Sequence, residues 1–451
     1  MKRLPLTTMA IILALLVGVC AHAQDSVDVS KTATFCLDYN PYLKSVQKEL
    51  TATEFDKRSA QGGYLPQVDV NAGWGIQRYN STATRAANRE DVVDGRTEAS
   101  LIITQLIWDG NGQFGRIDYE TARIGQAENR LYDGAEYLAL EAIIAHIDVL
   151  AQQELVALAE QNVAKHEEIL GNITDRQQVG ASSLADVTQA QGRLSQSKVT
   201  LTTETRKLRD AIAAYERLVG QPPMELTEPG AVTGLPANME AAVEATVGGN
   251  YQLAAKKSEL QMSEEAVTIA KSTYYPTIYL EGKSEYTDHV QASTSYTRED
   301  YAMVKAEWNL YNGGADQADI EGSLDRKTKT RQELLDLKDD LVKSTYETWN
   351  LLQEAKQNLA NNEEALLYTT DTRDMYLQQF DVGQRTLLDV LDAENEVFTS
   401  HGRMITAKYN VAISSYRLLA LEGQLLPALG LDPENYKQYR EVASAEEAAA
   451  Q

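Results

Sequence analysis

LYDGAEYLALEAIIAHIDVLAQQELVALAEQNV, residues 131–163, is the stretch whose spacing decides the fold. Stepping alternately by four and three from Leu131 lands on Ala135, Leu138, Ala142, Ala145, Val149, Gln152, Val156, Ala159 and Val163. All but Gln152 are apolar, so the segment reads as a helix with a coiled-coil seam. Many of these side chains are small, which lets a neighbouring helix come close.

Outward from this seam the chain stays helical for a long way. No proline lies between Pro66 and Pro222, nor between Pro276 and Pro427. Two windows of about 150 residues therefore lack the strongest helix breaker. Both are rich in Ala, Leu, Gln, Glu, Lys and Arg, the good helix formers. A weaker seam runs Leu388, Leu391, Asn395, Phe398, Gly402, Ile405, Tyr409, Ala412, Tyr416, Leu419. The pattern predicts two long helices, 113–177 and 315–380, each roughly 95–100 Å at 1.5 Å per residue. Shorter helices are expected at 37–62, 184–219, 246–273 and 387–422. Stacked in pairs (184–219 with 246–273, 37–62 with 387–422), these match the long ones in height. The proline-rich residues 220–245 would form a belt between the halves.

The chain is internally duplicated. Asn40-Pro41-Tyr42-Leu43 returns as Asn250-Tyr251-Gln252-Leu253, and Tyr64-Leu65-Pro66 as Tyr274-Tyr275-Pro276, both 210 residues on. Trp108-Asp109-Gly110 returns as Tyr311-Asn312-Gly313, and the run Gly180 to Val187 returns as Gly383 to Val390, both 203 residues on. Four matches in one order imply two repeats, 24–235 and 236–424, with a tail at 425–451 that is belt-associated at first and then disordered.

The offset shrinks where strands are expected. Val68, Val70, Ala72, Trp74 and Ile76 alternate with mostly polar residues, as do Ala99, Leu101 and Ile103. In the second repeat Ile278, Leu280 and Gly282 alternate, then Ala302, Val304, Ala306, Trp308 and Leu310. Strands are expected at about 66–80, 93–108, 276–288 and 299–312. One apolar face suits a membrane barrel and equally an ordinary antiparallel sheet. Tyr64, Trp108, Tyr274, Tyr275 and Tyr311 gather at the strand ends, as an interfacial girdle would.

Residues 1–23 read as a secretory signal: Lys2 and Arg3, an apolar run from Met9 to Val19, then Ala21-His22-Ala23. A retained anchor and a lipoprotein built on Cys20 are the alternatives. Without the leader only Cys36 remains, so no intrachain disulfide forms. The formal charge of −24 becomes −26, which speaks against nucleic acid and against a basic membrane-surface module. No later segment reads as a transmembrane helix of about 20 apolar residues. An exported chain of this kind is soluble or is held by a β-barrel. Four strands cannot close a barrel, and open edges are not tolerated in lipid, so several chains would have to share one. Three would supply twelve strands.

The ordered series NPYL, YLPQVDV, QLIWDGNG, VGASSLADVTQAQGRL, YYPTIYL, WNLYNGG and FDVGQRTLLDVLDAENEVF resembles the TolC-like outer-membrane efflux proteins, over about residues 33–424. The resemblance implies a homotrimer, mainly α with a small transmembrane β part. A shared 12-stranded barrel sits in outer-membrane lipid, and a long α-helical coiled-coil barrel projects into the periplasm. It implies an exit duct served by a periplasmic adaptor (membrane fusion protein) and an inner-membrane pump, ATP-driven in type I secretion. The stretch from Gly383 to Leu425 is similar to members that work in type I secretion; drug-efflux members share much of it. A periplasmic coiled-coil adaptor or scaffold is the alternative, though such a protein would carry one hairpin and not a duplicated pair.

The same resemblance implies a gate. Arg385 matches the gate arginine and Asp186 its carboxylate partner on the other repeat. Phe380 stands where the family often has tyrosine, and Ala185 replaces a hydroxyl residue, so the closed state would have fewer polar ties. Read alone, Arg385 with Asp186 is a surface ion pair of about 0–1 kcal/mol. Asp389 and Asp392, three apart, share a helix face among Leu387, Leu388, Val390 and Leu391. On one helix they are a solvated edge; the resemblance places them at the tip, where three copies make an acidic ring that favours cations. Nothing reads as an enzyme. The five histidines form no spaced metal or catalytic pair, and no cofactor or phosphate motif is present.

Overall fold

The computed structural model describes residues 26–90, 92–293 and 295–437. The signal-like leader 1–23 and the end of the 425–451 tail lie outside them. In chain order the elements are α1 (Val29–Tyr39), α2 (Pro41–Gly62), β1 (Gln67–Arg78), α3 (Thr82–Ala86), β2 (Val93–Trp108), α4 (Gly112–Gln178), α5 (Leu184–Val219), α6 (Met239–Gly249), α7 (Tyr251–Ser272), β3 (Thr277–Asp288), β4 (Tyr296–Glu307), α8 (Ala315–Asp381), α9 (Leu387–Leu421) and α10 (Leu425–Ala428).

The long helices fall within a residue of their expected ends. Of the short ones, 184–219 and 387–422 start where expected, and the other two differ at their starts. Where single helices 37–62 and 246–273 are expected, the chain breaks at Asn40 and Asn250. Each asparagine turns its side-chain oxygen to the helix that follows, Asn40 accepting from Tyr42 N at 2.9 Å and Asn250 from Leu253 N at 3.0 Å. An asparagine that competes for backbone N–H groups ends one helix and starts the next, and Pro41 has no N–H to continue the first.

The seam of α4 is the core. Leu131, Ala135, Leu138, Ala142, Ala145, Val149 and Ala159 are all buried. α7 packs along the first half of α4, where Gly115 faces Ile269 and Gly125 faces Ser258; α5 packs along the second. α1, α2 and α9 cover its remaining faces. One window of α4 is long and apolar enough to cross a membrane, which departs from the expectation that none would be. Half of that window is buried inside the protein, so the apolarity serves helix packing. α8 has the same length but buries only a thin line, among it Ile320, Leu341, Thr345, Leu352 and Ala355.

At mid-height the expected belt ties the ends of the chain together. Thr227 N bonds Val27 O at 3.0 Å. His146 donates from Nε2 to Thr227 O at 2.9 Å and accepts at Nδ1 from the Thr32 hydroxyl at 2.7 Å. Glu136, 3 % exposed, accepts from Leu425 N and Leu426 N, each at 3.2 Å, and so holds the start of α10. Burial pushes its carboxyl up to about 8, against those two N–H bonds.

The four strands form one antiparallel sheet in the order β1-β2-β3-β4, with β1 and β4 as open edges. β4 runs 296–307, not 299–312. Trp308 and Leu310 lie past its end because Asn309 turns the chain, accepting from Tyr311 N at 3.2 Å. Register puts Val68, Val70, Ala72, Trp74 and Ile76 on one face with Ala99, Leu101, Ile103, Ile278, Leu280, Ala302 and Val304. The opposite face carries Glu281 with Lys305, and Lys283 with Glu285. One rung of the apolar face reads Val70, Leu101, Ser284, Asp300.

Candidate gate at the hairpin tip

The ends of α4/α5 and α8/α9 farthest from the sheet meet in a four-helix tip. Both turns are built alike. Gly180 (φ +76°) and Gly383 (φ +79°) take the left-handed conformation that lets each long helix end and reverse. Their neighbours close the same backbone bonds, Ala181 N to Arg176 O at 2.7 Å and Gln384 N to Gln379 O at 2.8 Å. The return helices then open on matching capping boxes, Ser183 with Asp186 and Thr386 with Asp389.

Asp186 and Asp389, equivalent in the two repeats, thus share a local task. Asp186 accepts from Ser183 N at 2.9 Å and from its hydroxyl at 2.8 Å. Asp389 accepts from Thr386 N at 3.1 Å and its hydroxyl at 2.8 Å. These bonds, the hydroxyl one first, hold the Asp389 carboxyl below its ordinary range, and Arg385 adds to the effect.

Arg385 stays in its own hairpin. Its guanidinium lies 4.1 Å from the Tyr376 ring centre, its Nε donates to Gln379 at 3.0 Å, and Asp389 is 3.9 Å away. Within one protomer Arg385 and Asp186 are not joined. Phe380 does join the hairpins: Arg176 of α4 sits 4.7 Å over its ring and 3.5 Å from Asp381. Asp392 takes a second tie, from Arg193 of α5 at 2.6 Å. A small core of Ile173, Ala190, Leu387 and Leu391, with Phe380 against it, lies beneath these bonds.

Sequence reasoning missed Arg176, Arg193 and the pair Arg373–Glu394, whose atoms are 3.0 Å apart. The cross-hairpin partners lie about two hundred residues apart in sequence and follow no spacing rule. The capping boxes did have a signal, Ser or Thr followed three residues later by an acid. Two buried polar atoms nearby, Asn162 Oδ1 and His166 Nδ1, have no partner. Each such atom costs about 1–3 kcal/mol. Burial holds His166 below its ordinary value, with Glu394 opposing and Arg193 adding to the fall. Among the described residues no group of three side chains is placed to hold a metal ion. The arrangement is mechanical: a small apolar core and a few charged ties hold four helix ends together.

Comparison with known proteins agrees with this architecture. The chain is 26 % identical over 431 residues to the outer membrane efflux protein BepC of Brucella suis, covering 94 % of this chain and 92 % of BepC. It is 22 % identical to the outer membrane protein TolC of Vibrio cholerae (94 % and 96 % covered) and 22 % identical to the alkaline protease secretion protein AprF of Pseudomonas aeruginosa (86 % and 83 %). The fold matches a solved structure of CusC with a TM-score of 0.76, at 14 % identity and 90 % and 92 % coverage. Residues 36–221 and 243–424 match the family described as outer membrane efflux protein. The chain belongs to that family: it is an outer-membrane duct of a Gram-negative cell, neither an enzyme nor an adaptor.

Proposed function

We propose that three copies of this chain share one 12-stranded barrel and one α-helical tunnel. The carrying observation is the sheet itself, with four strands, one apolar face and two unpaired edges. Lipid does not tolerate such edges, and closure on further copies removes them. The under-packed face of α8 supports the same reading, since a helix of 67 residues that buries so little in one chain has surface to give to a second. Native mass measurement in detergent should show three chains. A stable monomer that conducts ions in a planar bilayer would overturn the architecture.

The duct works passively, with a periplasmic adaptor and an inner-membrane pump meeting the tip and supplying the cargo. Protein cargo exported in one step by an ATP-driven pump is the favoured reading, supported by the likeness to a protease secretion protein and by the stretch from Gly383 to Leu425. The tip is the gated end. Its latch comprises Arg385, Asp186 and Phe380, with Arg385 of one hairpin meeting Asp186 only across protomers. Asp389 and Asp392 form the acidic ring, and the two repeats divide near residue 235.

A further inference from the structure

Two apolar cores hold α4 against α9, and they do not meet. The belt core reaches toward the tip as far as Leu155 and Leu158 on α4 and Phe398 on α9. The tip core begins at Ile169 on α4 and Leu391 on α9. The gap on α4 is roughly 16 Å of helix. Its buried polar side chains are Asn162 and His166. Facing them is buried Glu394, bonded to Arg373 of α8 at 3.0 Å. A cavity of about 350 Å³ opens in this layer, lined in part by Asn162, Arg373, Glu394 and His401.

The bonds in the layer are unevenly shared. Arg373–Glu394 lies wholly within the α8/α9 hairpin. Asn162 Oδ1 and His166 Nδ1, on the α4 side, are partnerless. Bonds between the hairpins lie on either side of the gap instead. Toward the belt, Lys408 and Tyr409 of α9 bond Glu154 of α4 at 3.0 and 2.6 Å. Toward the tip, Arg176 reaches Asp381 and Arg193 reaches Asp392.

We propose that the layer of Asn162, His166, Arg373 and Glu394 is the fulcrum at which the α8/α9 hairpin parts from α4/α5 when the tip opens. The inference rests on the reading of the tip as the gated end. Belt bonds anchor the hairpins above the layer. Below it, the tip ties are exposed and break at low cost. Within it, parting the helices severs no hydrogen bond between them and admits water to two polar atoms that lack partners. Arg373–Glu394 travels with the moving hairpin and keeps its own two helices together. All four are positioning residues; none is assigned contact with cargo.

The test uses the full trimer in planar bilayers. Arg176→Ala with Arg193→Ala releases the tip ties and should raise conductance several-fold. Asn162→Leu with His166→Leu joins the two apolar cores. In that background the same release should raise conductance at least threefold less, while the melting temperature of the trimer is unchanged or higher. Asn162→Gln keeps the layer polar and should open like the parent. An equal rise in the leucine background overturns the fulcrum alone. No rise in the parent background overturns the gated-tip reading and the fulcrum with it. Should the double leucine variant not assemble, His166→Leu alone carries the comparison.

Discussion

His146 is the residue whose chemistry is most tightly fixed by its neighbours. It lies fully buried between Thr32 and Thr227, Nε2 donating to the Thr227 carbonyl and Nδ1 of the neutral ring accepting from the Thr32 hydroxyl. Burial lowers its proton affinity, against the Thr227 bond and the charge of Asp28. The sign follows. A histidine whose folded value lies below its unfolded one adds stability above about pH 6.5 and loses it as pH falls, because the unfolded chain takes the proton first. From this group alone stability should drop between pH 7.5 and 5.5 by at most about 1.4 kcal/mol per pH unit, while Glu136 and Glu422, whose carboxyls burial pushes up to about 8 and about 7, act in the opposite sense over the same range. His146→Gln should remove this contribution and leave that of His166, which is shifted the same way, so as pH falls the variant should lose less stability than the parent or gain more. Circular dichroism melts at matched ionic strength would show it, and identical slopes in the two proteins would rule out His146 as the cause.

Among the elements, the tip turns carry two competing tasks for one carboxylate. Asp186 is a capping residue of α5 in the protomer and a latch residue in the proposed assembly. The two roles separate by mutation. Ser183→Ala removes the hydroxyl half of the cap and should cost about 1 kcal/mol of helix stability. Conductance should then stay at the parent level. Arg385→Ser leaves the cap intact and should raise conductance if Arg385 latches a neighbouring protomer. If Asp186→Ala behaves like Ser183→Ala in both melting and conductance, the carboxylate is a cap alone. Legibility follows the same division. Helix lengths, strand faces and the duplicated turns were readable because periodicity and glycine act locally. The breaks at Asn40 and Asn250 were missed because one asparagine can cap a helix or sit within it, and only the side-chain bond decides. Trp308 and Leu310 continue the alternation of β4 yet lie outside it, because Asn309 ends the strand through a bond that hydropathy does not record. Arg193–Asp392 and Arg373–Glu394 had no local signature, since the fold alone brings those side chains together.

For the whole molecule, the acidic tip makes the sharpest test, because a ring exists only when copies surround an axis. One protomer presents Asp389 as a half-buried and Asp392 as an exposed side chain, and Arg193 already neutralises Asp392 at 2.6 Å. Asp389 is then the less compensated acid, tied to hydrogen-bond donors of Thr386 with Arg385 at 3.9 Å. In one chain its carboxyl protonates below the ordinary range. Three copies brought to a constriction repel one another, which raises their proton affinity and rewards a multivalent cation that bridges them. Millimolar multivalent cations on the periplasmic side should therefore block current, and cation selectivity should weaken as pH falls through the carboxylate range. Asp389→Ala with Asp392→Ala should abolish the block and reduce selectivity. Asp389→Ala alone should remove most of the block, whereas Asp392→Ala should chiefly raise conductance by freeing Arg193. Trimer melting should change little in Asp392→Ala, and in the variants that carry Asp389→Ala by no more than the loss of the α9 cap, about 1 kcal/mol. Planar-bilayer currents with and without the blocking cation separate these outcomes. Equal block in the parent and the double variant would place both acids away from the constriction and leave Asp389 a capping residue only.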